Sequence, residues 1–162
     1  FTIQLEEADE SLIKPIHYNN ASKTVKGKKR KVLIVEDNDI NQVIAKQHLS
    51  NHTTLSAKSG VEALQALNKM KVTFDVILMD CQMPEMDGFE ATKRIRNGEA
   101  GSRYLNVPII ALTANAMKGD KERCVSAGMD DYLSKPFDAE DLTDKVERWA
   151  SIEKDQEANA VH

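Results

Sequence analysis

The chain has 162 residues, a formal net charge of -4, 41% hydrophobic residues and 30% charged residues. That is one ordinary domain with tails, carrying enough apolar side chains for a core and enough charge for a soluble surface. The acidic balance argues against nucleic acid as the main partner, no apolar run approaches the about 18 residues that a membrane span needs, and two cysteines without CxxC spacing argue against a disulfide framework or a zinc site.

Residues 1–5, Phe1-Thr2-Ile3-Gln4-Leu5, alternate like a strand and show no basic lead, so no secretion signal is expected. Residues 6–30 are poor in apolar side chains and blocky in charge, ending in Lys26-Gly27-Lys28-Lys29-Arg30. They read as a linker, and the basic run reads as a solvated stretch rather than an anionic-ligand patch.

A regular alternation begins at Val32. Val32–Val35 is a buried strand ending in Glu36-Asp37. A helix is expected over Asp39–Leu49, capped by Asn38. Its core stripe is assigned to Asn41, Ile44, Ala45 and His48, with Leu49 at the edge. Thr53–Ala57 is a weaker strand, and Ser59 caps a helix carrying Val61, Leu64 and Leu67. Val76–Asp80 is a strand that Pro84 and Gly88 forbid from continuing. A helix follows over Phe89–Arg96, then a loop over 97–106. Val107–Leu112 is a strand ending in Thr113. A helix over Ala116–Ala127 stops at Gly128. Tyr132–Ser134 is a short strand ending in Lys135-Pro136. Asp138 caps a last helix through Leu142, Val146 and Trp149, with a frayed polar tail from Ser151.

Five strands alternating with five helices predict an α/β fold: a five-stranded parallel sheet, doubly wound, in three layers. In such a sheet the strand ends share one edge, where ligands bind. Glu36, Asp37, Asp80, Thr113 and Lys135 all sit at strand ends. Two unit charges ~4 Å apart at an effective dielectric of ~20 repel by about 4 kcal/mol, so three clustered carboxylates either hold protons or take up a cation. Hard oxygen donors without His or Cys suit Mg²⁺. Lys135 and Thr113 suit phosphoryl oxygens, and one carboxylate can serve as a nucleophile. The set points to metal-assisted phosphoryl transfer onto Asp80.

Glu36-Asp37-Asn38, Met79-Asp80-Cys81-Gln82-Met83-Pro84 with Asp87-Gly88, Thr113-Ala114-Asn115-Ala116 and Lys135-Pro136 together resemble the receiver domain of two-component response regulators. More narrowly, they resemble the receiver that follows the kinase in hybrid sensor histidine kinases. The match covers about residues 30–150, so the expected division is 1–30 preceding segment, 31–150 receiver and 151–162 tail. Phe1–Leu5 also resembles the last strand of a histidine-kinase ATP-binding domain, which makes 1–30 the end of that domain plus a linker.

The resemblance implies the flavodoxin-like strand order 2-1-3-4-5. It implies that Asp80 accepts phosphate from a phosphohistidine, carried by a kinase dimerisation domain or a histidine phosphotransfer domain. It implies Mg²⁺ on Asp37, Asp80 and the Gln82 carbonyl, with Glu36 acting through a water. Thr113 and Lys135 would contact the phosphoryl group, Tyr132 would turn inward as Thr113 moves, and Lys135-Pro136 would be cis. Ile40 and Val43, on the far side of the first helix, would form part of the donor's docking patch. A cytoplasmic location is expected, in a parent protein anchored in the inner membrane, with no nucleic acid or membrane contact by this segment. The sequence departs from the family at Glu36, where many members carry Asp, and in the polar second strand.

Blander readings apply to other residues. Cys81 reads as a small buried thiol. His48 and His52 read as helix-end residues without an acidic partner. His17 and His162 lie in tails. Asp130-Asp131 reads as loop capping. Two competing functions are a small Mg²⁺-dependent phosphatase, weakened by Gln82 where a second Asp is needed, and a partner-binding receiver that takes no phosphate.

Overall fold

A computed structural model describes residues 28–114 and 118–161. The expected strand over 1–5 and the linker as far as residue 27 lie outside those residues, as do Asn115 and Ala116. The elements are β1 (Lys31–Val35), α1 (Asp39–His48), β2 (Thr53–Ala57), α2 (Gly60–Lys69), β3 (Val76–Asp80), α3 (Gly88–Arg96), a single 3₁₀ turn (Ser102–Tyr104), β4 (Ile109–Thr113), α4 (Lys118–Ala127), β5 (Asp131–Ser134) and α5 (Ala139–Val161). All strand pairs are parallel, in the order β2-β1-β3-β4-β5.

Two apolar layers explain why the central strands carry apolar residues on both faces. Alternate residues of a strand face opposite sides of the sheet. Leu33, Val35, Ile77, Met79, Ile109 and Ala111 pack with residues of α2, α3 and α4. Val32, Ile34, Val76, Leu78, Ile110 and Leu112 pack with α1 and α5 through Ala45, Leu49, Leu142, Val146 and Ala150. β2 lies at an edge and is buried fully only at Ala57. Its polar composition is that of a strand with water on one flank.

Local signals hold where the chain itself supplies the partner. Asn38 Oδ1 accepts from Asn41 N, Ser59 Oγ from Glu62 N, and Asp138 Oδ1 from Asp141 N. Gly128 takes φ 104° after α4, and the Lys135-Pro136 bond is cis.

Other expectations are corrected. The buried stripe of α1 is Gln42 and Ala45 with Leu49, and Ile44 is exposed. Gln42 turns inward because its Nε2 donates to the Glu36 carbonyl at 2.6 Å. β4 begins at Ile109, not Val107. The Val107 carbonyl is taken by Arg96 Nη1 at 2.8 Å, and Pro108 has no N–H to add to a ladder. The loop 97–106 contains the 3₁₀ turn, anchored by buried Tyr104, whose hydroxyl donates to the Val72 carbonyl. α5 continues through Val161 instead of fraying at 151. Arg30 is buried, not linker. Its backbone N–H donates to His52 Nδ1 and its Nη2 donates to Ser151 Oγ. His52 does have an acidic neighbour, with Nε2 at 3.3 Å from Glu147 Oε1.

Candidate functional site

Because the strands are parallel, β1, β3, β4 and β5 deliver their C-terminal residues to one edge. Glu36 follows β1, Asp80 and Thr113 end β3 and β4, and Lys135 follows β5. Glu36, Asp80 and Thr113 are buried and Asp37 is exposed. Carboxylate oxygens of Glu36, Asp37 and Asp80 lie within 4.8 Å of one another. Lys135 Nζ donates to Glu36 Oε2 at 2.7 Å and lies 3.1 Å from Asp80 Oδ1.

The first turn of α3 abuts the backbone of Asp80. Asp87 caps it, with Oδ1 accepting from Glu90 N. Gly88 brings the helix so close that a Cβ there would sit 2.2 Å from the Asp80 carbonyl oxygen. Gln82 N donates to Asp80 Oδ1 at 3.1 Å, which orients the carboxylate. A groove of about 440 Å³ opens beside it, between the Cys81–Pro84 loop, Phe89 and Arg123.

Charge is out of balance in this edge. Burial first, then the hydrogen bond to Glu36 and its negative charge, push the Asp80 carboxyl up to about 7, against the pull of Lys135 and the Gln82 N–H. Burial also acts upward on Glu36. It is overcome by the hydrogen bonds from Lys135 and Asp80 and by the Lys135 charge, which hold Glu36 below the usual carboxylate range. Without a cation both directions favour a proton shared between Glu36 and Asp80. Burial acts against the Lys135 ammonium, but Glu36 and Asp80 raise its affinity for its proton, so it stays charged.

The donors fit a hard divalent ion. They are carboxylate oxygens, two of them buried, with one ammonium against three acids. Among the described residues no other cluster of His, Cys, Asp or Glu gathers this way.

The carboxylates of Glu36, Asp37 and Asp80 and the Lys135 ammonium therefore meet at one place. Thr113 ends the neighbouring strand β4, and its hydroxyl donates to Asp120 Oδ2 of α4 at 3.0 Å. Tyr132 is half-buried, its ring flanked by Lys121 Nζ at 4.8 Å and Lys145 Nζ at 5.9 Å. Ile40 and Val43 lie on α1, 70% and 53% exposed. Cys81 and Cys124 are both buried in one core cluster, and burial, with Cys124 beside it, pushes the Cys81 thiol up. Asp130 and Asp131 are structural. Asp130 accepts from Ile109 N and Arg96, and Asp131 accepts from Lys145 and Trp149.

Asp120, Arg123 and Gln42 were not legible. Asp120 lies seven residues past Thr113 with a loop between, and nothing in that spacing fixes which way the first turn of α4 faces.

Residues 32–147 match the model of the response regulator receiver domain. The chain belongs to that family. The receiver is 40% identical over 148 residues to Histidine kinase 3 of Arabidopsis thaliana, a match covering 80% of this chain and 14% of that protein. It is 37% identical over 141 residues to the sensor protein GacS of Pseudomonas syringae pv. syringae, covering 82% of this chain and 15% of that protein. The chain thus spans only a small part of these relatives. Among solved structures, the receiver domain of a sensor histidine kinase from Pseudomonas aeruginosa PAO1 is 40% identical with a TM-score of 0.68, covering 76% of this chain and 99% of that one. That protein was crystallised with a magnesium ion coordinated in its active-site cleft. A chemotaxis response regulator of Vibrio cholerae is 32% identical with a TM-score of 0.68, covering 75% of this chain and 99% of that one. No described helix of this receiver is long and apolar enough to cross a membrane.

Proposed function

We propose that this receiver takes a phosphoryl group from a phosphohistidine onto Asp80, with Mg²⁺, as one step of a two-component phosphorelay within a hybrid sensor histidine kinase. The observation that carries the reading is a buried carboxylate at the end of the central strand, clustered with Glu36 and Asp37 and tied to Lys135. Asp37, Asp80 and the Gln82 carbonyl would hold the ion, with Glu36 in its outer shell. Bound Mg²⁺ supplies positive charge that favours ionised Asp80 and offsets the incoming phosphoryl charge.

The chain's own groups then do the following. An ionised Asp80 oxygen forms the new bond to phosphorus as the bond from phosphorus to the donor imidazole nitrogen breaks, and the imidazole leaves with the electron pair. Lys135, already held against both acids, can turn its ammonium to a phosphoryl oxygen. Thr113 can offer its hydroxyl to another oxygen, and Tyr132 can follow as Thr113 moves. The donor is a kinase dimerisation domain or a histidine phosphotransfer domain docking on the apolar patch of α1 that contains Ile40 and Val43. Residues 1–30, apart from the buried Arg30, would be the end of a preceding ATP-binding domain plus linker, in a protein whose receiver lies in the cytoplasm.

Intact mass after acetyl phosphate tests the reading. One phosphoryl adduct per chain, requiring Mg²⁺, labile to base and absent in Asp80→Asn, is expected. Steady phosphate release without an adduct would favour a phosphatase, and no adduct at all would favour a receiver that only binds a partner.

A further inference from the structure

Thr113 has one hydroxyl proton to donate, and in this structure it goes to a carboxylate. Thr113 Oγ1 lies 3.0 Å from Asp120 Oδ2, and Asp120 Oδ1 lies 3.9 Å from Arg123 Nη1. The Arg123 guanidinium in turn sits 4.2 Å above the Phe89 ring, beside the groove that adjoins Asp80. Thr113 is buried at the end of β4, the strand next to that of Asp80. Asp120 is in the first turn of α4.

We propose that Asp120 is a positioning residue of the switch: it holds the Thr113 hydroxyl in the resting state, and a phosphoryl oxygen on Asp80 must win that hydroxyl from it. This rests on Asp80 being the phosphoacceptor. A donated O–H cannot serve both acceptors at full strength, so the Thr113–Asp120 bond opposes switching directly. Releasing Thr113 does not strand Asp120. Its carboxylate keeps Arg123 nearby and is part-exposed to water. The opposition is therefore finite, and α4 carries the change because Asp120 belongs to it.

The alternative is that Asp120 merely places a negative charge at the start of a helix, which stabilises α4 without biasing the switch. Backbone NMR of the whole chain separates the two. Resting spectra and spectra with beryllium fluoride and Mg²⁺, a phosphoryl mimic, define the line between the two states for α4 and Tyr132. The expected result is that resting Asp120→Ala lies part-way along that line, with a population shift of about tenfold, the size set by losing one hydrogen bond to a charged group. Asp120→Asn, which keeps the shape and a weaker acceptor, should lie between it and the parent chain. In a Thr113→Ala background, Asp120→Ala should add no further movement along the line.

Resting spectra of both Asp120 variants that coincide with the parent in α4, while the mimic binds as before, overturn the proposal even if the melting temperature falls. The same displacement with and without Thr113 overturns it too, because the effect would then be one of helix charge. Failure of the parent chain to take up the mimic overturns the phosphoacceptor reading, and this inference with it.

Discussion

At Asp80 burial opposes the ionised carboxylate that its proposed role needs. Its carboxyl is buried beside Glu36, so without a cation it keeps a proton up to about pH 7, against an ordinary value of 3.8. A folded-state pKa raised above the unfolded one contributes stability that is present below the unfolded value and lost as pH rises through the folded one. Asp80→Asn is neutral at every pH and escapes that loss. In metal-free protein it should therefore raise stability to urea by about 1–3 kcal/mol more at pH 8 than at pH 5. Saturating Mg²⁺ should close the gap by stabilising only the wild-type carboxylate. An equal gain at both pH values would show that Asp80 is not the proton-holding member of the pair. Its neighbour Gly88 is fixed by contact, since a Cβ would strike the Asp80 carbonyl oxygen at 2.2 Å. Gly88→Ala should cost about 2–3 kcal/mol and slow adduct formation from acetyl phosphate, because α3 must retreat from the site. A melting temperature matching the parent's would mean that α3 retreats freely.

At the scale of elements, α1 shows what periodicity resolves and what it does not. The helix and its Asn38 cap are written in the sequence. Its rotation is not, because Gln42 outranks Ile44 for the core by donating to the Glu36 carbonyl. Ile44, 37% exposed, then joins Ile40 and Val43 on the outside and enlarges the apolar patch. Three branched apolar residues on one outward face are what a docking helix would cover. Ile40→Glu combined with Val43→Glu should slow transfer from a phosphohistidine protein at least tenfold, on the order of a lost interface contact. Transfer from acetyl phosphate should be unchanged, since a small donor needs no docking surface. Equal slowing with both donors would place these side chains in the fold rather than in an interface.

Across the whole molecule, the two chain ends of the domain are tied together. Arg30 and Ser151 are hydrogen-bonded, Thr53 N donates to the Arg30 carbonyl, and His52 links to Glu147. Burial, with Glu147 acting against it, holds the His52 imidazole below its ordinary value, so it is built in as a neutral acceptor for the Arg30 N–H. The sequence-derived limits 31–150 cut through this cluster. A chain trimmed to 31–150 should be about 1–3 kcal/mol less stable to urea than one spanning 28–161, with one buried acceptor on His52 left unpaired. Identical unfolding midpoints would show that the tie contributes nothing. A second brace, Arg96, donates to the carbonyls of Gly128, Leu105 and Val107 and pairs with Asp130, joining the end of α3 to the approach to β4 and to the turn between α4 and β5.

The sequence by itself determined the alternation, the parallel sheet and the meeting of Glu36, Asp37, Asp80, Thr113 and Lys135, because strand ends in such a sheet share an edge whatever the details of packing. It determined the caps for the same kind of reason: Asn38, Ser59 and Asp138 bond to residues three positions away. Only the tertiary structure decided which proton acceptor Thr113 meets, which face α1 buries, where β4 starts and where the domain ends. Each of those depends on a partner beyond the reach of a cap or a single helical turn: Asp120 beyond a loop, the Glu36 carbonyl for Gln42, Arg96 for Val107, Ser151 for Arg30. Periodicity reports that a residue is polar or apolar. It carries no information about which distant group will satisfy a buried donor, and a buried donor left unsatisfied costs more than an exposed isoleucine.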